Sequence, residues 1–272
     1  MEQIEVGSRY DLRAGKSPGA PDEGDFSGSE TRYGWIHSYE TGSTVDGPGI
    51  RLTAFMSGCL LRCQYCHNPD TWHLKDGTRI ELAQAIERLA QFAGPLRHMG
   101  GGLTISGGEP MVQMEFTRGL FRAAKDMRLH TALDTSGYLG GRCDDAYLDL
   151  VDLVLLDIKS GDPETYRRVT AKELEPTLRF AERLAAKSKP VWVRFVLVPG
   201  LTDAHANIEA VGRIVAPMPN VEWLEVLPFH QMGAFKWSSL HLNYPLEDTP
   251  TPSPEQVQAA IQILRSAGCR VR

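Results

Sequence analysis

At 272 residues, with 42% hydrophobic and 23% charged residues, the chain can bury one large core, which excludes a disordered or fibrous protein. A formal net charge of -5 and the lack of a Lys/Arg block argue against nucleic acid or an anionic membrane as partner. No apolar run approaches the roughly 20 residues of a membrane span, and the polar, acidic beginning does not read as a secretion signal. A cytoplasmic location is therefore expected.

Residues 1–32 are rich in Gly, Ser, Pro and acids, with too few apolar side chains to offset the entropy of ordering, and are expected to form a flexible tail. A core domain is expected over 33–272. Within it, short runs with β-branched or aromatic content predict strands at 50–56, 103–106, 131–134, 153–159, 191–198 and 221–228. Thr78-Arg79-Ile80-Glu81 reads as a capping box opening a helix to about Phe92, and Ser253-Pro254-Glu255-Gln256 as a second one. Further helices are predicted over 115–127, 174–187 and 207–215.

Alternation of this kind predicts a parallel sheet built from right-handed crossovers. Six strands fall short of the eight that close a TIM barrel, so the pattern allows either a partial barrel or a doubly wound sheet. Polar residues gather where the predicted strands end: a cysteine loop after the first, Gly107-Gly108-Glu109 after the second, Asp134 at the third, Asp157 and Lys159 at the fourth, His230 after the sixth. In a parallel α/β sheet these points share one side, where active sites form.

The five cysteines are unevenly placed, with Cys59, Cys63 and Cys66 within eight positions and Cys143 and Cys269 far away. Clustered thiols of an intracellular chain are more often metal ligands than disulfide partners. Their C-x3-C-x2-C spacing supplies three thiols to one centre. A structural zinc site closes with four ligands, whereas an iron–sulfur cubane on three thiolates keeps one iron open. A zinc knuckle completed by His67 or His73 is the competing reading, that of a non-catalytic interaction protein.

C-x3-C-x-aromatic-C, with Tyr65 as the aromatic residue, resembles the cluster motif of the radical S-adenosylmethionine superfamily. Asp46-Gly47-Pro48-Gly49-Ile50-Arg51 resembles the segment that marks its glycyl-radical-enzyme activases, and Gly107-Gly108-Glu109-Pro110 the second superfamily motif. The stretches Cys66-His67-Asn68-Pro69-Asp70-Thr71-Trp72, Leu133-Asp134-Thr135-Ser136-Gly137, Leu156-Asp157-Ile158-Lys159 and Leu227-Pro228-Phe229-His230 are similar, in order and spacing, to the activases that serve pyruvate formate-lyase. No cysteine lies between Cys66 and Gly107, where many other activases bind additional clusters.

The resemblance implies a partial (β/α)6-type TIM-like barrel of about six parallel strands with outer helices. It implies one [4Fe-4S] cluster on Cys59, Cys63 and Cys66, with S-adenosylmethionine on the open iron. It also implies a glycyl radical made on pyruvate formate-lyase, a flavodoxin or ferredoxin as electron donor, and a monomeric enzyme; another glycyl radical enzyme is the alternative partner. Implied cofactor contacts are Tyr65, Cys66, His67, Gly107, Gly108, Glu109, Asp134, Asp157, Ile158, Lys159, Arg194 and His230. Asp134 and Asp157 are implied to hold a monovalent cation, and Asp46, Gly47, Pro48 and Gly49 to receive the partner's glycyl loop.

Read from chemistry alone, Gly-Gly is also an ordinary turn, Asp157 with Lys159 an ordinary ion pair, Arg194 a buried pair, and His230 a satisfied core histidine. His37, Cys143 and Cys269 are taken as structural.

Overall fold

The computed structural model describes residues 32–272. The expected tail lies outside these residues except for Arg32. One eight-stranded sheet runs through them in the order β3-β1-β2-β4-β5-β6-β7-β8. Its strands are β1 (Tyr33–Ser43), β2 (Arg51–Met56), β3 (Thr78–Glu81), β4 (Gly102–Gly107), β5 (His130–Thr135), β6 (Leu153–Asp157), β7 (Val191–Leu197) and β8 (Val221–Pro228). From β2 to β8 every pairing is parallel, and these six strands match the six expected ones.

β1 and β3 are additional, pairing antiparallel at the β2 edge. Two glycines and a polar second half give β1 little strand signal, and residues 40–42 within that half are exposed. The expected capping box at Thr78 is corrected: residues 78–81 extend along β1 as β3, and the helix begins one element later. Its box uses Glu81 as N-cap, whose backbone N–H donates to Gln84 Oε1 at 3.1 Å. Hydrogen bonds to β1 satisfy the backbone that a helix starting at Thr78 would have used.

The helices are α1 (Leu82–His98), α2 (Met114–Asp126), α3 (Asp145–Leu148), α4 (Pro163–Thr170), α5 (Glu175–Ala186), α6 (His205–Val215), α7 (Ala234–Ser239) and α8 (Pro254–Ser266). Period-two alternation divides the strands into two faces. Leu52, Ile105, Leu133, Leu156, Val193 and Val226 join one core cluster with the helix residues Leu89, Phe116, Leu184, Val211 and Leu264. Each such leucine contributes roughly 1.5–3 kcal/mol on burial. The alternate positions Phe55, Ser106, Asp134, Asp157, Arg194 and Leu227 all line one cavity.

β2 and β8, five places apart in the sheet, can share a cavity only if the sheet curls. Arg194 on β7 reaches Asp46 and Val45, which precede β2. No pairing joins β3 to β8 among the described residues, so the barrel stays partial. Deeper on the same inner face, Ala132, Leu153, Leu155 and Trp192 form an apolar floor with Trp223.

Candidate active site

The cysteine loop leaves β2 and is stapled on both sides. Gly58 N–H donates to Thr71 O at 2.7 Å and Cys59 N–H to Trp72 O at 3.0 Å, while Arg62 and Gln64 N–H groups donate to Thr170 O and Val169 O at the end of α4. Cys59, Cys63 and Cys66 face the same cavity of about 470 Å³, and none forms a disulfide. Burial pushes the Cys59 and Cys63 thiols up to about 12 and that of Cys66 to about 11. Three half-buried thiols that resist ionisation suit a centre whose positive charge would compensate the thiolates. Among the described residues, no three His, Cys, Asp or Glu side chains converge as ligands of one metal ion.

Gly107 and Gly108 line the cavity, but packing explains why they are glycines. Gly107 has φ +112, and a Cβ there would lie 2.2 Å from Met56 N; on Gly108 it would lie 2.4 Å from Gly58 O. They let the β4 turn press against the root of the cysteine loop, sealed by Gly108 N–H to Met56 O and Glu109 N–H to Gly58 O, both 2.8 Å.

Glu109 departs from expectation. It is 1% exposed and does not line the cavity. Its carboxylate accepts from Thr135 Oγ1 (2.7 Å), Ser136 Oγ (2.6 Å), Ser136 N–H (3.1 Å) and Met111 N–H (3.2 Å). It braces the β4 turn to the end of β5, and its acceptors are taken. Ile158 likewise packs into the outer core, its N–H donating to Arg194 O at 3.0 Å.

Charged residues form two pairs around the cavity. Lys159 Nζ donates to Asp157 Oδ2 at 2.7 Å and sits 5.7 Å from the Tyr65 ring centroid. Burial opposes its charge, yet Asp157 and Tyr65 hold it well above the ordinary lysine range. Asp134 Oδ2 accepts from Ser106 Oγ at 2.6 Å and from Arg194 Nη1 at 3.2 Å. Burial drives its carboxyl up to about 6, although Arg194 pulls the other way.

Tyr65 Oη, Asp134 Oδ1 and His230 Nδ1 are buried without a protein partner. Such atoms cost roughly 1–3 kcal/mol each unless something pairs with them. The His67 and His230 rings lie 4.3 Å apart, tilted by 32°, and burial with the neighbouring His230 lowers the His67 pKa.

At the loop ahead of β2, Gly47 and Gly49 take φ +128 and +68, and a Cβ on Gly49 would lie 2.3 Å from Gly100 O. Fully buried Arg51 donates to Pro48 O and to Leu103 O beneath it. Asp46 lines the cavity; Gly47, Pro48 and Gly49 do not. Sequence reasoning assigned no individual role to Ser106, Trp72, Trp237 or Lys236. Trp237 Nε1 donates to Cys66 O at 2.9 Å, and Lys236 joins Asn68 and Asp70 at the foot of the cysteine loop. His37 Nε2 lies 2.9 Å from Asp70 Oδ2 on the other side.

Residues 53–209, which include the three-thiol loop after the first parallel strand and most of the strand ends around the cavity, match the radical SAM superfamily. The chain is 40% identical over 240 residues, 86% of its length and 97% of the relative, to the pyruvate formate-lyase-activating enzyme of Listeria monocytogenes. It is also 40% identical over 242 residues, covering 86% and 96%, to that of Staphylococcus aureus. The crystal structure of a domain of pyruvate-formate lyase-activating enzyme from Bacteroides vulgatus superposes with a TM-score of 0.52 at 26% identity, over 63% of this chain and 98% of that one. The chain belongs to the pyruvate formate-lyase-activating enzyme family of the radical SAM superfamily.

Proposed function

We propose that this protein is the activase of a pyruvate formate-lyase, with Cys59, Cys63 and Cys66 holding one [4Fe-4S] cluster and S-adenosylmethionine in the adjoining cavity. When bound, that pair would supply one-electron reductive cleavage of S-adenosylmethionine to methionine and a 5′-deoxyadenosyl radical able to take a hydrogen atom from a glycine α-carbon of the partner. The carrying observation is that the three thiols, Gly107-Gly108, Asp134, Lys159 and His230 line the same cavity.

The chain's own residues bind and orient. Tyr65, His67 and His230 would border the adenosyl group, where the unpaired Tyr65 Oη and His230 Nδ1 offer hydrogen bonds. Lys159 would donate to ribose or carboxylate. The unpaired Asp134 Oδ1, with Asp157 nearby, suits a monovalent cation, and Arg194 then acts as counter-charge rather than cofactor contact. Glu109 and Ile158 act as supports. The Asp46–Gly49 turn would receive the glycyl loop, with Asp46 on the cavity side.

We further assign residues 33–272 to one catalytic domain, a flavodoxin or ferredoxin as the electron source, and a monomeric cytoplasmic enzyme. No helix among the described residues is long and apolar enough to cross a membrane. Anaerobically reconstituted protein mixed with S-adenosylmethionine, a reductant and pyruvate formate-lyase is expected to give a glycyl-radical electron paramagnetic resonance signal. A fully loaded cluster with no such signal would refute the partner assignment.

A further inference from the structure

The short helix α7 buries one side chain, Trp237, while Phe235 on it is 65% exposed, so apolar packing grips the helix at one point. Its other hold is polar. Lys236 Nζ donates to Asn68 Oδ1 at 2.8 Å and to Asp70 Oδ1 at 3.1 Å, and lies 2.9 Å from Asp70 Oδ2. Asp70 Oδ2 is also 2.9 Å from His37 Nε2, and His37 Nδ1 is 2.9 Å from Ser38 Oγ. One chain of contacts therefore runs from α7 through the foot of the cysteine loop to β1.

These contacts bracket His67. Before it in the chain, Cys66 O accepts from Trp237 Nε1 at 2.9 Å; after it, Asn68 and Asp70 are held by Lys236. The approach is close, since a Cβ on Gly233, just ahead of α7, would lie 2.8 Å from His67 Cα. His230 leads into α7 through residues 231–233, whereas His67 belongs to the cysteine loop. The Lys236 contacts thus join the two segments that carry the two rings, which stand 4.3 Å apart and both line the cavity. Partly exposed ion pairs add little to stability, but one ammonium with three acceptors fixes how those segments sit. We infer that Lys236 is a positioning residue for the cofactor site, pinning Asn68 and Asp70 to α7 so that His67 stays against His230 at the cavity wall. This inference rests on the S-adenosylmethionine site proposed above.

The test combines two readouts. In cluster-free protein carrying isotope-labelled histidine, nuclear magnetic resonance reports the ring signals, assigned through His67→Asn and His230→Asn. Lys236→Met keeps the aliphatic stem and removes the donors, and its His67 signals are expected to move toward those of an unstacked, solvated histidine. In cluster-loaded enzyme, the Kd of S-adenosylhomocysteine by anaerobic equilibrium dialysis is expected to rise about tenfold, with the kinetic loss larger in KM than in kcat. Lys236→Arg, which can reach the same acceptors, should recover most of both changes.

Asp70→Asn keeps the side-chain shape and removes the charge facing Lys236. It should move both readouts the same way by a smaller amount, and it carries the test if Lys236→Met does not fold. Unshifted His67 signals in the folded variants would overturn the inference. So would shifted signals with an unchanged Kd, or a Lys236→Arg protein no better than Lys236→Met, because the contact would then serve only the fold. Loaded wild-type enzyme that binds no S-adenosylhomocysteine would instead defeat the underlying cofactor site, which the histidine signals of cluster-free protein do not depend on.

Discussion

Arg194 places one guanidinium between two carboxylates that belong to different ends of the site: Nη1 lies 3.2 Å from Asp134 Oδ2, and Nη2 lies 3.5 Å from Asp46 Oδ1. Nη2 also donates to Val45 O at 2.7 Å, so the loop ahead of β2 is tied to the sheet through this side chain. Under the proposed assignment, it couples the cofactor end of the cavity to the loop that receives the partner. Arg194→Lys keeps the charge but loses the fork that bonds both sides at once. The variant is expected to bind S-adenosylmethionine within a few-fold of wild type, and to need at least roughly tenfold more pyruvate formate-lyase for half-maximal radical formation, the equivalent of about 1.4 kcal/mol. Radical yield against partner concentration checks this.

Asp134 makes a pH-dependent contribution of definite sign. Its carboxyl is held up to about 6 by burial, so in the window between the ordinary 3.8 and about 6 the native state binds more protons than the unfolded state. Stability from this group is therefore present at low pH and lost as pH rises through that window. A bound monovalent cation would take the proton's place. Melting of cluster-free protein at pH 7.5 is expected to rise when choline chloride is exchanged for potassium chloride, less so at pH 5, and not at all in Asp134→Asn.

The thiols give a second proton linkage. With pKa values raised to about 11 and 12, all three remain protonated in the cluster-free protein at pH 8. Cluster binding as thiolates should release about three protons, so log affinity is expected to climb with a slope of about three per pH unit below the thiol pKa values. Above pH 9, cluster-free protein should lose stability, because the unfolded chain gives up thiol protons that the native state retains. Proton release during anaerobic reconstitution in weak buffer measures the first effect, and chemical denaturation at pH 8 and 10 the second.

Glu109→Gln separates a brace from a ligand contact. The amide would present N–H groups to donors that now converge on carboxylate oxygens, at a cost of roughly 2–3 kcal/mol. Thermal melting is expected to fall by several degrees while the concentration of S-adenosylmethionine needed for half-maximal cleavage changes less than about threefold. A direct contact with the methionine amino group would give the reverse pattern.

Gly49→Ala places a Cβ 2.3 Å from Gly100 O at φ +68. Close approach and left-handed backbone together predict a loss of about 2–4 kcal/mol, or release of the 47–49 turn from its seat. Limited proteolysis near Gly49, compared with wild type, distinguishes the two results.

Legibility in the sequence followed the range of the interactions. The three-cysteine spacing, the six parallel strands and the placement of polar residues at their ends were readable, because ligand spacing within a loop and period-two alternation are local properties. Thus Asp134, Asp157, Lys159 and His230 fall at one end of the sheet by strand pattern alone, and they line one cavity. β3 was not readable. Thr78–Glu81 carries a passable capping box, and only the presence of β1 as a pairing partner makes it a strand.

Direction and distant partners belonged to the tertiary structure. Alternation tells which face a residue takes, but the carboxylate of Glu109 turns from the cavity because Thr135 and Ser136 stand within reach at the end of a different strand. Trp237 meets Cys66 across 171 residues of sequence, a contact created by folding α7 back onto the cysteine loop. Chain chemistry by itself determined which atoms could hold a metal centre. Packing decided which donors surround those atoms, since long-range contacts are selected by the fit of whole elements rather than by any local pattern.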